Sequence, residues 1–499
     1  MANPFREALA AGRFCYVVEL VASRLRREAQ VLEVAAGLAR IPEVVAGSVT
    51  SYAGGAMGHD PIRVAAAARA RGLTPNVHLT CVAQDRDGLR KTLDDLAALG
   101  IENVFALTGD YPRAAAAPGA GAEPGSAPVF DLDAVQLVRL IDELRRAGRR
   151  FHVAVAVSPF KYTEADCVWQ YLKLEKKVAA GADVAITQVG FDARKFAELK
   201  RYVDARGLGI PLLGNVYVLG PRAAAKMARG EPPGCWVPPA LLETVQRESA
   251  APDGGLRARL ERAAAMVAVL RGLGYAGAYL GGTHEPAHIA WIIRRAEALA
   301  PAWPALAAQL AYAPVHGFYL DDPAALPWEP APRRAASRPS PAAGRARAPA
   351  RGRPLLPRLL DALGRALPVG REQPLGRLLG RAFAWADRHR PVAAAVERLE
   401  LAIKRPLFGC QACGNCVLGV LEYVCPQTCP KQMRNGPCGG ATDGRCEVVD
   451  RPCIWGAVYE RARAAGRLGA LLTYVPPPDR TLRGTSSWIN YYLGRDSRP

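Results

Sequence analysis

Residues able to do chemistry sit where apolar runs end. Glu19 lies near the end of the run Phe14–Val21, and Asp110 follows Asn103–Leu107 inside the turn Thr108-Gly109-Asp110-Tyr111-Pro112. His78 and Thr80 fall in NVHLTC (Asn76–Cys81). Thr50, Ser51 and Tyr52 close another run, Thr187 and Gln188 a further one, and His284 a last one. A carboxyl stripped of water stays protonated near neutral pH and can hand over a proton, whereas an ionised one steers charge on its neighbours. Taken singly, each residue has a plain explanation. A loop-end aspartate forms turns, Glu19 makes a salt bridge at a rim, and His78 is a satisfied core histidine. Recurrence points instead to a shared site, because burying an ionised, unpaired glutamate is costly.

A second set is the cysteines. Eight of the 12 lie between Cys410 and Cys453, at Cys410, Cys413, Cys416, Cys425, Cys429, Cys438, Cys446 and Cys453. Such density in a chain without an export signal means metal rather than disulfides. Eight thiolates suffice for two four-cysteine sites. The C-x2-C-G-x-C run and the pairs Cys425-Pro426 and Cys429-Pro430 resemble ferredoxin-type iron–sulfur ligation. The fourth cysteine is not three residues after Cys416, and zinc fits the chemistry equally well. Spacing leaves open which cysteines share a site. Cys15, Cys81, Cys167 and Cys235 read as core thiols.

The elements that must position these groups recur. Strand-like segments are expected at Phe14–Val21, Val45–Tyr52, Asn76–Val82, Asn103–Asp110, His152–Pro159, Val184–Phe191, Pro211–Leu219 and Gly277–His284. Helical stretches alternate with them, at Pro61–Arg71, Gly88–Leu99, Asp133–Ala147, Glu164–Ala180, Ala193–Arg206 and Leu256–Leu273. This alternation implies βα units and a parallel sheet, and eight units suit an α/β fold of the (β/α)8 TIM-barrel type. The rival, a doubly wound open sheet, expects a glycine-rich phosphate turn after its first strand, and Leu20–Arg26 has none. The mouth of a barrel is at the C-terminal ends of its strands, where all the groups above fall.

The division expected is a barrel over 1–320, a Pro/Ala/Arg-rich linker over 330–354, two helices over 355–403, a cysteine-rich metal-binding domain over 404–470 and a tail over 471–499. The formal charge is +19, but many arginines lie between Arg333 and Arg398 among alanine and proline. No recognition helix or aromatic-basic motif accompanies them, so nucleic-acid binding is not expected. No apolar run is long enough to span a membrane. MANPFREALAAGRF carries charges where an export signal needs an apolar core, so a cytoplasmic protein is expected.

The runs NVHLTC, NVFALTGDYP (Asn103–Pro112) and LEKKVAAGADVAITQ (Leu174–Gln188), with VVEL (Val17–Leu20) and SVT (Ser48–Thr50), resemble the methylenetetrahydrofolate reductase family. The resemblance covers residues 1–320. It implies a barrel flavoprotein that reduces 5,10-methylenetetrahydrofolate to 5-methyltetrahydrofolate. NAD(P)H passes hydride to the flavin and leaves, and folate takes its place. Carried over by motif, Glu19 is the general acid that opens the methylene bridge. Asp110 sits near flavin and pterin, and Gln188 bonds the pterin. Thr50, His78, Thr80 and Lys177 help hold the flavin, FAD or alternatively FMN. The chain departs from the family in having Thr108 where an arginine is frequent, and in the short SPFKY turn (Ser158–Tyr162). The loop Arg113–Ser126 is rich in Ala, Gly and Pro and reads as mobile. The cysteine-rich segment resembles a domain or partner subunit found with some bacterial members, which implies a [4Fe-4S] cluster or zinc and a redox-protein partner. Electron entry through ferredoxin-like clusters is one alternative, a non-catalytic docking protein another, and homo-oligomerisation is left open.

Overall fold

The structure, a computed structural model, describes residues 3–22, 27–51, 59–112, 128–312, 314, 317–320, 354–367 and 369–496. Tyr52, the loop 113–126 and nearly all of the linker 330–354 lie outside the described residues.

Eight parallel strands close into a barrel in sequence order: β1 (Cys15–Leu20), β2 (Val44–Val49), β3 (Pro75–Thr80), β4 (Asn103–Leu107), β5 (His152–Val157), β6 (Val184–Thr187), β7 (Leu212–Tyr217) and β8 (Gly277–Gly281). The ring closes where Cys15 to Val18 pair with Gly277 to Leu280. This is the expected (β/α)8 barrel. Its strands are short and Val-rich, and β2 and β8 are buried throughout, as strands covered on both faces must be. The helices begin sharply because the preceding turns supply caps. Asp85, Asp133, Thr163 and Asp192 each accept a first-turn N–H, and Asp133 forms a capping box with Gln136.

Helix α1 (Pro4–Ala10) was not expected from the sequence. It presses Phe5 and Ala8 into one apolar cluster with Cys15, Val17, Val45, Phe105, Ala154 and Tyr279. Phe5 meets His152 edge-on at 5.2 Å, and Asn3 Nδ2 donates to Asn103 Oδ1 at 2.9 Å. His152 and Asn103 open their strands, so α1 covers the N-terminal end of the barrel.

The chain forms two compact units, one comprising 1–346 with 438–448 and the other 347–437 with 449–499. The short stretch 438–448 is therefore part of the barrel unit, which a linear division at residue 404 does not show. In the second unit, Leu355–Ala366, Pro374–Arg388 and Arg390–Phe408 make three helices where two were expected. Pro374 and Pro391 each lie in a first helical turn, where proline starts a helix rather than continuing one. The cysteine loops have little regular structure, and buried amides hold them instead. Asn435 exchanges two 2.8 Å hydrogen bonds with the Val475 backbone, and Asn415 bonds Asp479 O, Asp479 N and Cys413 O. Among the described residues no helix is long and apolar enough to cross a membrane.

Candidate active site

Parallel register places paired residues on the same face of a sheet. Glu19 pairs with Ser48, His78 with Phe105, and Val17 with Tyr279. All of these side chains point into the barrel. His78 Nε2 lies 3.0 Å from Ser48 Oγ and 3.4 Å from the Tyr279 hydroxyl, and Asn76 Nδ2 donates to Ser48 Oγ at 3.0 Å. The imidazole packs edge-on to Phe105 at 4.9 Å. Burial lowers its pKa to about 3, so the ring is neutral and acts as a hydrogen-bonding group, not a cation.

Glu19 sits above this layer. Desolvation raises its pKa to about 7, partly opposed by a backbone hydrogen bond from Gly282. A side chain on Gly281 would bring its Cβ within 3.0 Å of Glu19 Oε2, so glycine there leaves the carboxyl its room. Tyr217 packs beside it, its pKa pushed up to about 12 by burial and then by the Glu19 charge.

Asp110 reaches the mouth because Gly109 adopts a φ of +90°, a conformation that disfavours any side chain. A Cβ there would also press on Thr80 and Val82, each 3.1 Å away. Cys235 lies at the same end of the barrel, in a buried cluster with Leu219 and with Tyr217, the ring beside Glu19. Burial first and then the Asp110 charge raise its thiol to about 12, with Lys161 opposing and Glu19 adding a smaller push. Cys235 is a buried core thiol, as expected.

The other expected residues take different places. Gln188 follows β6 on the same rim, half-exposed, and its Oε1 accepts from Val189 N at 2.9 Å. Thr80 is buried against the Gly109 turn. Thr50 is buried too, its hydroxyl accepting from Ala22 N at 3.2 Å and tying the ends of β1 and β2 together.

Lys177 is not a solvated helix lysine. Lys173, Lys176 and Lys177, on the helix Glu164–Ala179, are all buried. Lys177 Nζ donates to Ala156 O at 2.5 Å. Desolvation lowers Lys177 to about 7 and Lys176 to about 8, with Lys173 pushing both further down and Asp133 opposing. Desolvated ammonium groups this close favour a polyanion, and a flavin phosphate suits them chemically. Sequence reasoning kept Lys177 and passed over its partners, although their i, i+3, i+4 spacing shares one helix face.

In the second unit, Cys410, Cys413, Cys416 and Cys425 line one cavity. Buried Lys404 faces it, its Nζ 3.4 Å from Cys416 Sγ, 2.7 Å from Glu400 Oε1 and 2.9 Å from Ser487 Oγ. Cys429 lines a further cavity together with Cys413, and Cys453 is in the same unit, whereas Cys438 and Cys446 belong to the barrel unit. Among the described residues, no three His, Cys, Asp or Glu side chains are disposed to hold a single metal ion.

A closed parallel barrel with acid groups at the C-terminal ends of its strands falls in the class of (β/α)8 barrels that work at that face. The chain belongs to the methylenetetrahydrofolate reductase family, whose model matches residues 4–273. A second model, described as methylene-tetrahydrofolate reductase C terminal, matches residues 392–481. The chain is 32% identical over 146 residues to the 5,10-methylenetetrahydrofolate reductase of Escherichia coli, covering 29% of this chain and 44% of that protein. It is 28% identical over 190 residues to methylenetetrahydrofolate reductase 2 of Schizosaccharomyces pombe, covering 36% and 28%. The match thus spans less than half the length of these relatives. A solved structure of an uncharacterized Clostridium thermocellum protein, described as binding two copies of 5-methyl-5,6,7,8-tetrahydrofolic acid, is 10% identical with a TM-score of 0.42, covering 60% of this chain and all of that one.

Proposed function

We propose that this chain is a flavin-dependent methylenetetrahydrofolate reductase, reducing 5,10-methylenetetrahydrofolate to 5-methyltetrahydrofolate at the barrel mouth. The observation that carries the reading is Glu19, a desolvated carboxyl near the C-terminal end of β1 whose pKa is raised to about 7, with Asp110 in the turn that follows β4. Family membership supplies the reaction, and the residues supply its logic. Glu19 gives the proton that opens the methylene bridge. Asp110 brings negative charge to the site, and Gln188 offers an amide that can both donate to and accept from a pterin edge. Neutral His78, held by Ser48 and Tyr279, joins Thr50 and Thr80 on the cofactor side. Lys173, Lys176 and Lys177 would hold the phosphates. A flavin bound there would supply hydride transfer.

The cysteine site is read as a [4Fe-4S] site on Cys410, Cys413, Cys416 and Cys425. Tetrahedral zinc at about 2.3 Å from each sulfur needs the four sulfurs within about 4 Å of one another. A cluster spreads them, because each sulfur binds a different iron. Four cysteines line one cavity, the number such a cluster takes. The protein purified without air should be yellow-brown, and 5-methyltetrahydrofolate should bleach its flavin absorbance. Protein that takes up neither FAD nor FMN refutes the reading.

A further inference from the structure

Lys161, in the turn after β5, is one of the largest fully buried side chains. Its ammonium has three protons to donate, and three acceptors meet it: Gly439 O at 2.7 Å, Ala441 O at 2.6 Å and Thr442 Oγ1 at 3.0 Å. All three come from one stretch nearly 280 residues away in the chain. Two more contacts from the following helix fix the same stretch. Gln170 Nε2 donates to Cys438 O at 3.2 Å, and Gly444 N donates to Asp166 Oδ2 at 2.8 Å. On the other side, Gly234 approaches so closely that a Cβ would lie 2.5 Å from Gly439 O. Cys235, the next residue, packs in one apolar cluster with Leu219 and with Tyr217 at the end of β7, the ring that lies beside Glu19. The seated stretch therefore borders the mouth that holds the two carboxylates.

We propose that residues 438–448 form a fixed wall of the barrel's binding site, and that Lys161 is the positioning residue that holds this wall in place. The folate site is then complete only when a stretch from within the cysteine-rich segment is seated on the barrel. This extends the reductase reading and rests on it for the substrate. The chemistry also explains the use of a lysine. One buried ammonium satisfies two backbone carbonyls and a hydroxyl oxygen at once, which no apolar side chain can do.

The test uses the full-length protein and two variants, Lys161→Met, which keeps the length of the side chain, and Thr442→Val, which removes one acceptor without touching the barrel. Amide hydrogen exchange over 438–448, alkylation of Cys235 by iodoacetamide, and the KM and kcat for methylenetetrahydrofolate are measured. In Lys161→Met, exchange over 438–448 and Cys235 labelling should each rise at least about tenfold, the scale of losing one charged hydrogen bond. Exchange in the eight strands should stay as in the wild type, and the folate KM should rise more than kcat falls. Thr442→Val should move the same readouts by less. Unchanged exchange over 438–448 overturns the role of Lys161. Faster exchange with unchanged Cys235 labelling and KM overturns the wall. If Lys161→Met loosens the strands as well, Thr442→Val decides: a rise confined to 438–448 and Cys235 supports the wall, and its absence overturns it. Wild-type protein that turns over no folate sinks the reductase reading alone, and exchange with Cys235 labelling then judges the wall.

Discussion

Replacing Glu19 by glutamine separates the cost of burying its charge from the use of its proton. Burial takes the carboxyl from 4.5 to about 7. At 1.36 kcal/mol per pKa unit, that is about 3 kcal/mol against the ionised form. The native protein binds this proton more tightly than the unfolded chain does. The contribution to stability is thus fully present below the unfolded pKa, declines as pH rises from about 4.5 to about 7, and is absent above. Glu19→Gln removes that decline. In protein free of flavin and folate, urea unfolding at pH 8 should show the variant more stable by up to about 3 kcal/mol, with solvent at the mouth trimming the figure. At pH 4 the two should coincide. Turnover should move the other way. Glutamine donates no acid proton, so folate reduction should fall by about 100-fold or more while flavin is retained. Wild-type turnover should decline as pH rises through about 7. Parallel stability–pH curves for the two proteins would refute the desolvation of Glu19, and normal folate turnover in the variant would refute its role as acid.

Lys177→Met should weaken FAD binding by about 10- to 100-fold, the range for one charged hydrogen bond, in a fluorescence titration; wild-type affinity would remove the lysines from the phosphate site. Gly109→Ala forces a side chain into a φ of +90° against Thr80 and Val82, and should destabilise the barrel by about 1–3 kcal/mol in urea, with an unaltered midpoint counting against the turn geometry. Cys416→Ser should lower iron and acid-labile sulfide in anaerobically purified protein, whereas stoichiometric zinc in both proteins would replace the cluster by a different site.

The barrel is legible in the sequence because each βα unit is written locally. An apolar run, a turn and a capped helix recur, and the family motifs fix where each strand ends. Glu19 and Asp110 are legible for the same reason, each lying at a strand's C-terminal tip. Helix α1 is hidden because seven residues carry too little periodicity to announce a plug. Cys235 reads as a core thiol and is one, but nothing nearby in sequence shows that its cluster includes Tyr217 at the end of β7. Lys161 shows the limit most clearly. Its partners, from Gly439 to Thr442, are separated from it by the rest of the barrel and by the helices of the other unit, and no local pattern records a contact at that range. In the second unit the helical stretch and the cysteine spacing are legible but the loops are not, because single buried amides such as Asn415 and Asn435 hold them rather than repeating structure.

The plug at the base of the barrel has a kinetic consequence. With Phe5 and Ala8 wedged into the core cluster, helix α1 closes the N-terminal end of the barrel. On the proposed reductase reading, nicotinamide and folate would each need the same face of the bound flavin and would share the mouth, so the first would have to depart before the second arrives. Initial rates measured against one reactant at several fixed levels of the other should then give parallel double-reciprocal lines rather than lines that converge.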